Sequence, residues 1–291
     1  MNLQTSDTRV RMVVDTSSSM PPDLLAQFNI LEVPTTVHFG SDAYQLNRDI
    51  DLPRFFELLQ TRPEHPTTSQ PAPTLFADAY RQALDEGAEK ILVVVVSAEL
   101  SGTWNSARLA IDEVPEADIE LWDSRAVSIS SGLQAIAAAQ LLAAGGARQD
   151  AITRMAEVRS RLRSYLTVDN LDALARSGRV GGLQKNMGNM LNLKPILAGA
   201  DGKVIPVAKA RGRRKAVSEL LQRIAADMGD QPVAVAVSHA MVPDEASELL
   251  ERARSLLNVE TTYIVELDPA IVALAGIGTL GIAAHPVGEV A

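Results

Sequence analysis

Two short hydroxyl-rich stretches carry the chemistry that this sequence can offer. In "HPTTSQPAPTLF", Thr67, Thr68 and Ser69 sit between prolines just ahead of a helical pattern. In "SAELSGTWNSA", Ser97, Ser101 and Thr103 surround Gly102 after an apolar run. Hydroxyls and backbone N–H groups bind an anion without adding a second full charge, and a helix N-terminus contributes free N–H groups and a positive partial charge. In an open α/β sheet such turns collect beyond the carboxyl ends of the strands, where ligands bind, so two of them could share one anion. The same residues also suit a structural role. Thr68 and Ser69 could form a turn before Pro71, and Ser101 or Thr103 could cap a helix beginning near Trp104.

Other chemistries find little support. The four histidines, His38, His65, His239 and His285, show no H-E-x-x-H spacing, and the chain has no cysteine. Zinc sites, thiol catalysis and disulfides are therefore not expected. Neither a G-x-S-x-G elbow nor a Walker A loop occurs. "GIGTLG", from Gly276 to Gly281, matches G-x-G-x-x-G literally, but too little chain follows for a dinucleotide fold, and it reads as a glycine turn closing the last helix or strand. "VDTSSS" around Asp15 reads as a strand-end turn lining a domain interface rather than a catalytic triad. The net charge of −9 leaves no general basic field, which argues against sequence-independent nucleic-acid binding. "GLQAIAAAQLLAAGG" is too short to span a bilayer, and the N-terminus shows no secretory signal pattern, so a cytoplasmic protein without a membrane segment is expected.

The elements that must position these turns alternate between β-rich and helical patterns. "VRMVVD", "NILEVPTTVHFG", "KILVVVV" and "IELWDS" read as strands, with "LPRFFELLQ", "PTLFADAYRQALDEG" and "NSARLAIDEV" as helices between them. This alternation predicts a parallel sheet covered on both faces. "QDAITRMAEVRSRLRSY" then places Ile152, Met155, Val158 and Leu162 on one helical stripe. After it "YLTVDNLDALARSGRVGG" gives a short strand, a helix and a glycine-rich turn, "ADGK" reads as a hairpin turn, and "VAVAVSHA" and "TTYIVEL" flank another helix. Two α/β domains are expected, residues 1–164 with the hydroxyl-rich loops and a smaller domain of residues 165–291.

Seven stretches, in order, carry a family resemblance: "VDTSSSMPPDL", "TSQPAPTLF", "LSGTWNSA", "WDSRAVSISSG", "LARSGRVGG", "LNLKPIL" with "DGKV" and "KARGRRKA", and "GIGTLGIA". Together they cover nearly the whole chain and resemble the signatures of the DegV family of bacterial fatty-acid-binding proteins. The resemblance implies a two-domain α/β fold that holds one long-chain fatty acid in a tunnel between the domains. It also implies a carrier without cofactor or chemistry of its own, presenting the acid to a fatty acid kinase for phospholipid synthesis. By that resemblance Thr68 and Ser101 bind the carboxylate, with Ser69 beside them and Gly102 permitting close backbone approach. Arg179 and Arg211 align with the positions expected to meet a phosphate or an acidic partner, although each also suits an ordinary surface charge. One departure stands out. Kinase-coupled members carry a histidine in an H-x-G-P-G loop near the head group, whereas this chain has Leu274 there and Ile277 in place of the proline. That leaves lipid binding intact but removes a proton-bearing group from the phosphorylation step. The alternatives are a lipid-sensing regulatory protein uncoupled from a kinase, and a phosphotransfer enzyme related to dihydroxyacetone kinases. The latter lacks both a phosphate loop and clustered carboxylates for Mg²⁺.

Overall fold

The computed structural model describes residues 9–169, 171–180 and 193–288. Along the chain run β1 (Val10–Asp15), α1 (Pro22–Gln27), β2 (Leu31–Val33), β3 (Thr36–Phe39), β4 (Asp42–Gln45), α2 (Leu52–Thr61), β5 (Thr67–Ser69), α3 (Pro73–Asp85), β6 (Lys90–Val95), α4 (Thr103–Asp112) and β7 (Ile119–Asp123). Two helices follow, α5 (Ile129–Ala143) and α6 (Arg148–Arg161), and then β8 (Arg163–Thr167) and α7 (Asp172–Ser177). The remainder is β9 (Leu193–Ala200), β10 (Lys203–Arg211), α8 (Arg213–Met228), β11 (Pro232–His239), α9 (Pro243–Leu256), β12 (Asn258–Glu266), α10 (Pro269–Ala275) and β13 (Leu280–Pro286).

The expected parallel sheet is present, with strand order β2-β1-β6-β7 and every neighbouring pair parallel. Its central strand β6 alternates sides as the pleat requires. Leu92 and Val94 face α5 and α6, while Ile91, Val93 and Val95 face α3 and α4, and all five are fully buried. A second sheet, ordered β10-β9-β8-β13-β11-β12, draws all its strands from Arg163 onward and is antiparallel except for the β11–β12 pair. Helices α8 and α9 cover one face of it. Toward its other face lie α5 and α6, whose Ile129, Leu133 and Met155 share one core with Met12 and Leu92 of the first sheet and Ala236 and Ala283 of the second. Being enclosed between two sheets explains why α5 is buried on every side from Ile129 to Ala139 rather than along one stripe.

A third sheet, β4-β3-β5, was not anticipated. The stretch 29–40, read as one strand, divides at Pro34 and Thr35: β2 joins the parallel sheet and β3 pairs antiparallel with β4 and β5. Proline supplies no ladder donor, and the Thr35 N–H turns instead to the Thr16 hydroxyl at 3.1 Å. Thr67–Ser69 is accordingly the short strand β5 rather than a turn. The small sheet buries Val37 and Phe39 against α2 and against Ala270 and Val272 of α10, tying early sequence to the last helix. The helix expected through Tyr165 ends at Arg161, where Leu162 turns extended and β8 begins. "ADGK" is the β9–β10 hairpin turn, with Asp201 and Gly202 both at positive φ. "GIGTLG" closes α10 at Gly276 and leads into β13. Gly181 and Gly182 of the glycine-rich turn, and Leu191 and Asn192 of "LNLKPIL", lie outside the described residues.

Candidate functional site

Between the carboxyl ends of the parallel strands and the second sheet lies a cavity of about 980 Å³. All strands of the first sheet are parallel, so their carboxyl ends share one edge, and the loops leaving them, with Thr35, Ser17, Val96 and Ser124, form one side of the cavity. The opposite side is aliphatic, with Leu166, Val204 and Ala283 on one face of the second sheet, Ile205 and Val207 on its edge strand β10, and Ile271 and Leu274 from α10.

Thr68, Ser69, Ser101 and Gly102 all line this cavity. Thr68 is placed by its pairing with Val37, and the Ser69 hydroxyl lies 2.9 Å from His38 Nε2. Ser101 follows β6, where its Oγ accepts from the Thr103 N–H at 3.2 Å and lies 2.8 Å from Thr103 Oγ1. The N-cap position of α4 is Gly102, which has no side chain to spend on capping. The glycine also admits the neighbouring loop: a Cβ at this position would lie 2.6 Å from both amide atoms of Gln70. The "TSQP" and "LSGT" loops thus touch through Gln70 and Gly102, a contact that residue types alone did not reveal. Together they present hydroxyls, an amide and the start of a helix to one volume.

The β9–β10 hairpin closes over these loops. Ser97 Oγ donates to Gly202 O at 2.7 Å, Arg125 donates to Asp201 O at 3.2 Å, and Lys203 pairs with Glu99 at 3.4 Å. Gly202 is required there, because φ is +82° and a Cβ would come within 2.7 Å of Ser97 Oγ. Arg179 lines the cavity, its guanidinium bonded to Ser177 O at 2.9 Å. Arg211, at the end of β10 opposite Leu193, is not among the lining residues. No described histidine lines the cavity, while Leu274 does. His239 and His285 are buried elsewhere, and burial lowers the pKa of both.

Beneath the cavity floor is a set of buried acids. Asp15 accepts from the N–H of Val96 at 2.8 Å and of Ser17 at 3.0 Å, and from the Ser17 hydroxyl, so it fastens β1 to β6. Burial raises its pKa against those hydrogen bonds. Asp268 caps α10 by accepting from the Ala270 N–H at 2.8 Å, and its own N–H donates to Ser19 Oγ at 3.3 Å. Burial, with the nearby Glu32 and Asp15, pushes the Asp268 pKa up to about 7. Ser128, at φ 56° and ψ −149°, precedes α5 in a conformation that non-glycine residues rarely adopt. Its N–H is held by Ser17 O at 2.9 Å. Asp268 was not legible in the sequence, because its role comes from neighbours distant along the chain. Gln70 and Ser128 lay inside recognised motifs, without an assigned role.

Two stacked α/β units share a helical layer, and a cavity opens onto a hydroxyl-lined strand edge; the class is a two-domain α/β protein. A family model described as an uncharacterised protein of the DegV family matches residues 9–287, and the chain belongs to that family. A DegV domain-containing protein of Streptomyces coelicolor is 35% identical over 275 residues, covering 94% of this chain and 97% of the relative. Among solved structures, a DegV family protein of Thermus thermophilus, described by its fatty acid binding, superposes with a TM-score of 0.88 at 32% identity over 96% of this chain and 100% of that one. DegV of Bacillus subtilis, described as a fatty acid binding protein, gives a TM-score of 0.84 at 29% identity over 97% and 100%.

Proposed function

We propose that this protein binds one long-chain fatty acid in the cavity between its sheets, the acyl chain along the aliphatic side and the carboxylate at Thr68 and Ser101. The observation that carries this reading is that one cavity joins an aliphatic wall to a cluster of neutral donors, namely Thr68, Ser69, Ser101 and the backbone after Gly102. A carboxylate taken from water needs such donors. At roughly 0.8 kcal/mol per buried CH₂, a sixteen-carbon chain brings a transfer term of about 10 kcal/mol, reduced by the cost of immobilising it. Such binding requires no catalytic group, and the protein acts as a carrier rather than as an enzyme, in the cytoplasm, with its two domains dividing near residue 164. No described helix is long and apolar enough to cross a membrane.

In this reading the carrier presents its acid to a fatty acid kinase, with Arg179 at the cavity and Arg211 at the end of β10 available to a phosphate or an acidic partner. Leu274 favours a second reading, in which the bound lipid acts as a signal without kinase coupling. It lines the cavity where the kinase-coupled pattern has a histidine. The experiment that tests lipid binding is displacement of a fluorescent fatty acid by hexadecanoic acid. Thr68→Ala with Ser101→Ala removes two hydroxyl donors, each worth about 1.5 kcal/mol or more to a charged acceptor. The double variant should therefore bind at least about 100-fold more weakly while keeping its fold without ligand. Unchanged affinity would overturn the head-group assignment.

A further inference from the structure

Thr35 lines the cavity between β2 and β3, and its hydroxyl lies 2.9 Å from the buried hydroxyl of Thr16. Which of the two oxygens donates is decided on the far side of Thr16. Thr16 Oγ1 already accepts from the Thr35 N–H at 3.1 Å. One proton and one lone pair remain on it, so if Thr35 Oγ1 takes one, the other is left for a further partner. That partner is Asp268, whose carboxyl is hydrogen-bonded by the Thr16 hydroxyl. Asp268 is itself buried and fixed, its Oδ1 accepting from the Ala270 N–H at 2.8 Å and its N–H donating to Ser19 Oγ at 3.3 Å.

The chain of hydroxyls therefore has two arrangements. When Asp268 carries a proton, it donates to Thr16 Oγ1, Thr16 donates to Thr35 Oγ1, and the Thr35 O–H is free to donate into the cavity. When Asp268 is ionised, Thr16 donates to the carboxylate and Thr35 donates to Thr16 Oγ1. Thr35 then offers the cavity only lone pairs, which a carboxylate ligand cannot use. Ser17 provides the contrast on the same wall. Its hydroxyl is spent on Asp15, a carboxylate that also accepts from two N–H groups.

The charges of Glu32 on β2 and Asp15 on β1 bear on Asp268 and, after burial, favour its protonated form, so that its pKa stands near 7. Glu32 accepts from the Asn47 amide at 2.7 Å. On the other elements around α10, His239 of β11 accepts the Leu267 N–H through its backbone oxygen at 2.7 Å, and its ring stands 3.9 Å from Glu266 of β12. His38 of β3 is bonded to Ser69, and Arg176 of α7 is exposed.

We propose that Thr35 is a further ligand-binding residue and Asp268 its positioning residue: protonated Asp268 turns the Thr35 hydroxyl toward the bound carboxylate as a donor, and ionised Asp268 withdraws it. This rests on the fatty-acid reading above. Binding then favours the protonated form of Asp268, so affinity is greatest below about pH 7 and falls as pH rises through that value.

Displacement of a fluorescent fatty acid by hexadecanoic acid, with the delipidated full chain at pH 5.5 and pH 8.5, tests this. Wild type should bind about 10-fold more weakly at the higher pH, the loss of one hydrogen bond to a charged acceptor. In Asp268→Asn the amide donates to Thr16 at every pH, so affinity should stay near the wild-type value at pH 5.5. Thr35→Val should bind at both pH values about as wild type does at pH 8.5. Thr35→Ser should restore the hydroxyl and with it the pH dependence, which a merely structural role would not do. Ionisation of the ligand itself is common to all four proteins and cancels in the comparison. Wild-type pH dependence in Asp268→Asn would overturn the proposal and leave the fatty-acid reading standing, and this variant alone decides if Thr35→Val does not fold. No binding of hexadecanoic acid at either pH would overturn both.

Discussion

Every strand of the parallel sheet ends at the cavity, whereas the six-stranded sheet turns mainly apolar side chains toward it. Parallel pairing sends all carboxyl ends to one edge, so the groups able to bind an anion collect there: Ser17, Thr35, Ser101 and Ser124 follow or flank four different strands. Antiparallel pairing instead alternates residues across its faces, and Leu166, Val204 and Ala283, all on one face, present hydrocarbon to the same space. One sheet supplies chemistry and the other supplies shape. The two can therefore be altered separately away from the contacts that join them, among which is a buried junction where Asp268 of the second half meets Ser19 of the first.

That junction should give the largest response. With its pKa near 7 against an ordinary 3.8, Asp268 holds a proton in the folded protein that the unfolded chain has released. Its contribution to stability falls as pH rises from about 4 to about 7 and is level above that. An asparagine side chain there would keep an oxygen to accept from the Ala270 N–H without the buried charge, so Asp268→Asn should stabilise the protein at pH 8 by up to about 4 kcal/mol and flatten the dependence below it. Urea unfolding at pH 5 and pH 8 measures both quantities. Identical pH dependence in variant and wild type would separate Asp268 from the coupling between the halves.

A smaller effect should mark the aliphatic wall. Ile205 and Val207 are 38% and 37% exposed on the edge strand β10, an arrangement that an acyl chain lying against them would explain. Ile205→Ser with Val207→Ser should weaken fatty-acid binding about 10-fold, through lost apolar contact, and change stability by no more than about 0.5 kcal/mol. Displacement titration and thermal melting report these independently. Equal losses for short and long acids would place the chain away from β10. The smallest effect is expected at Arg211, which stands off the cavity. Arg211→Ala should leave acyl affinity within about two-fold of wild type, since isolated surface changes amount to about 0.5 kcal/mol or less, and a larger loss in the same titration would bring that residue into the lipid site.

The parallel sheet was legible because apolar runs such as Ile91–Val95 and the helices between them carry distinct periods. The small β4-β3-β5 sheet was not. The stretch 29–40 is β-rich throughout, and only the tertiary bond from Thr35 to Thr16 shows that its halves serve different sheets. Thr67–Ser69 misled for a related reason, since a strand of three residues flanked by prolines has the composition of a turn. In the site, hydroxyls beside a glycine after a strand can be read locally, and Thr68, Ser69, Ser101 and Gly102 do come together. The position of Arg159 could not be read that way. It reaches Asp123 O and the Trp122 ring of β7 from α6, and no spacing in the sequence records that approach.

The central claim is that the cavity holds a single acyl chain by its carboxylate. Native mass spectrometry of the freshly purified full chain, followed by organic extraction and identification of what is released, tests it most directly. The predicted result is one long-chain acid per protein, lost on extraction and restored by adding the free acid. A protein that carries no acyl ligand and takes up none of the added acid would contradict it.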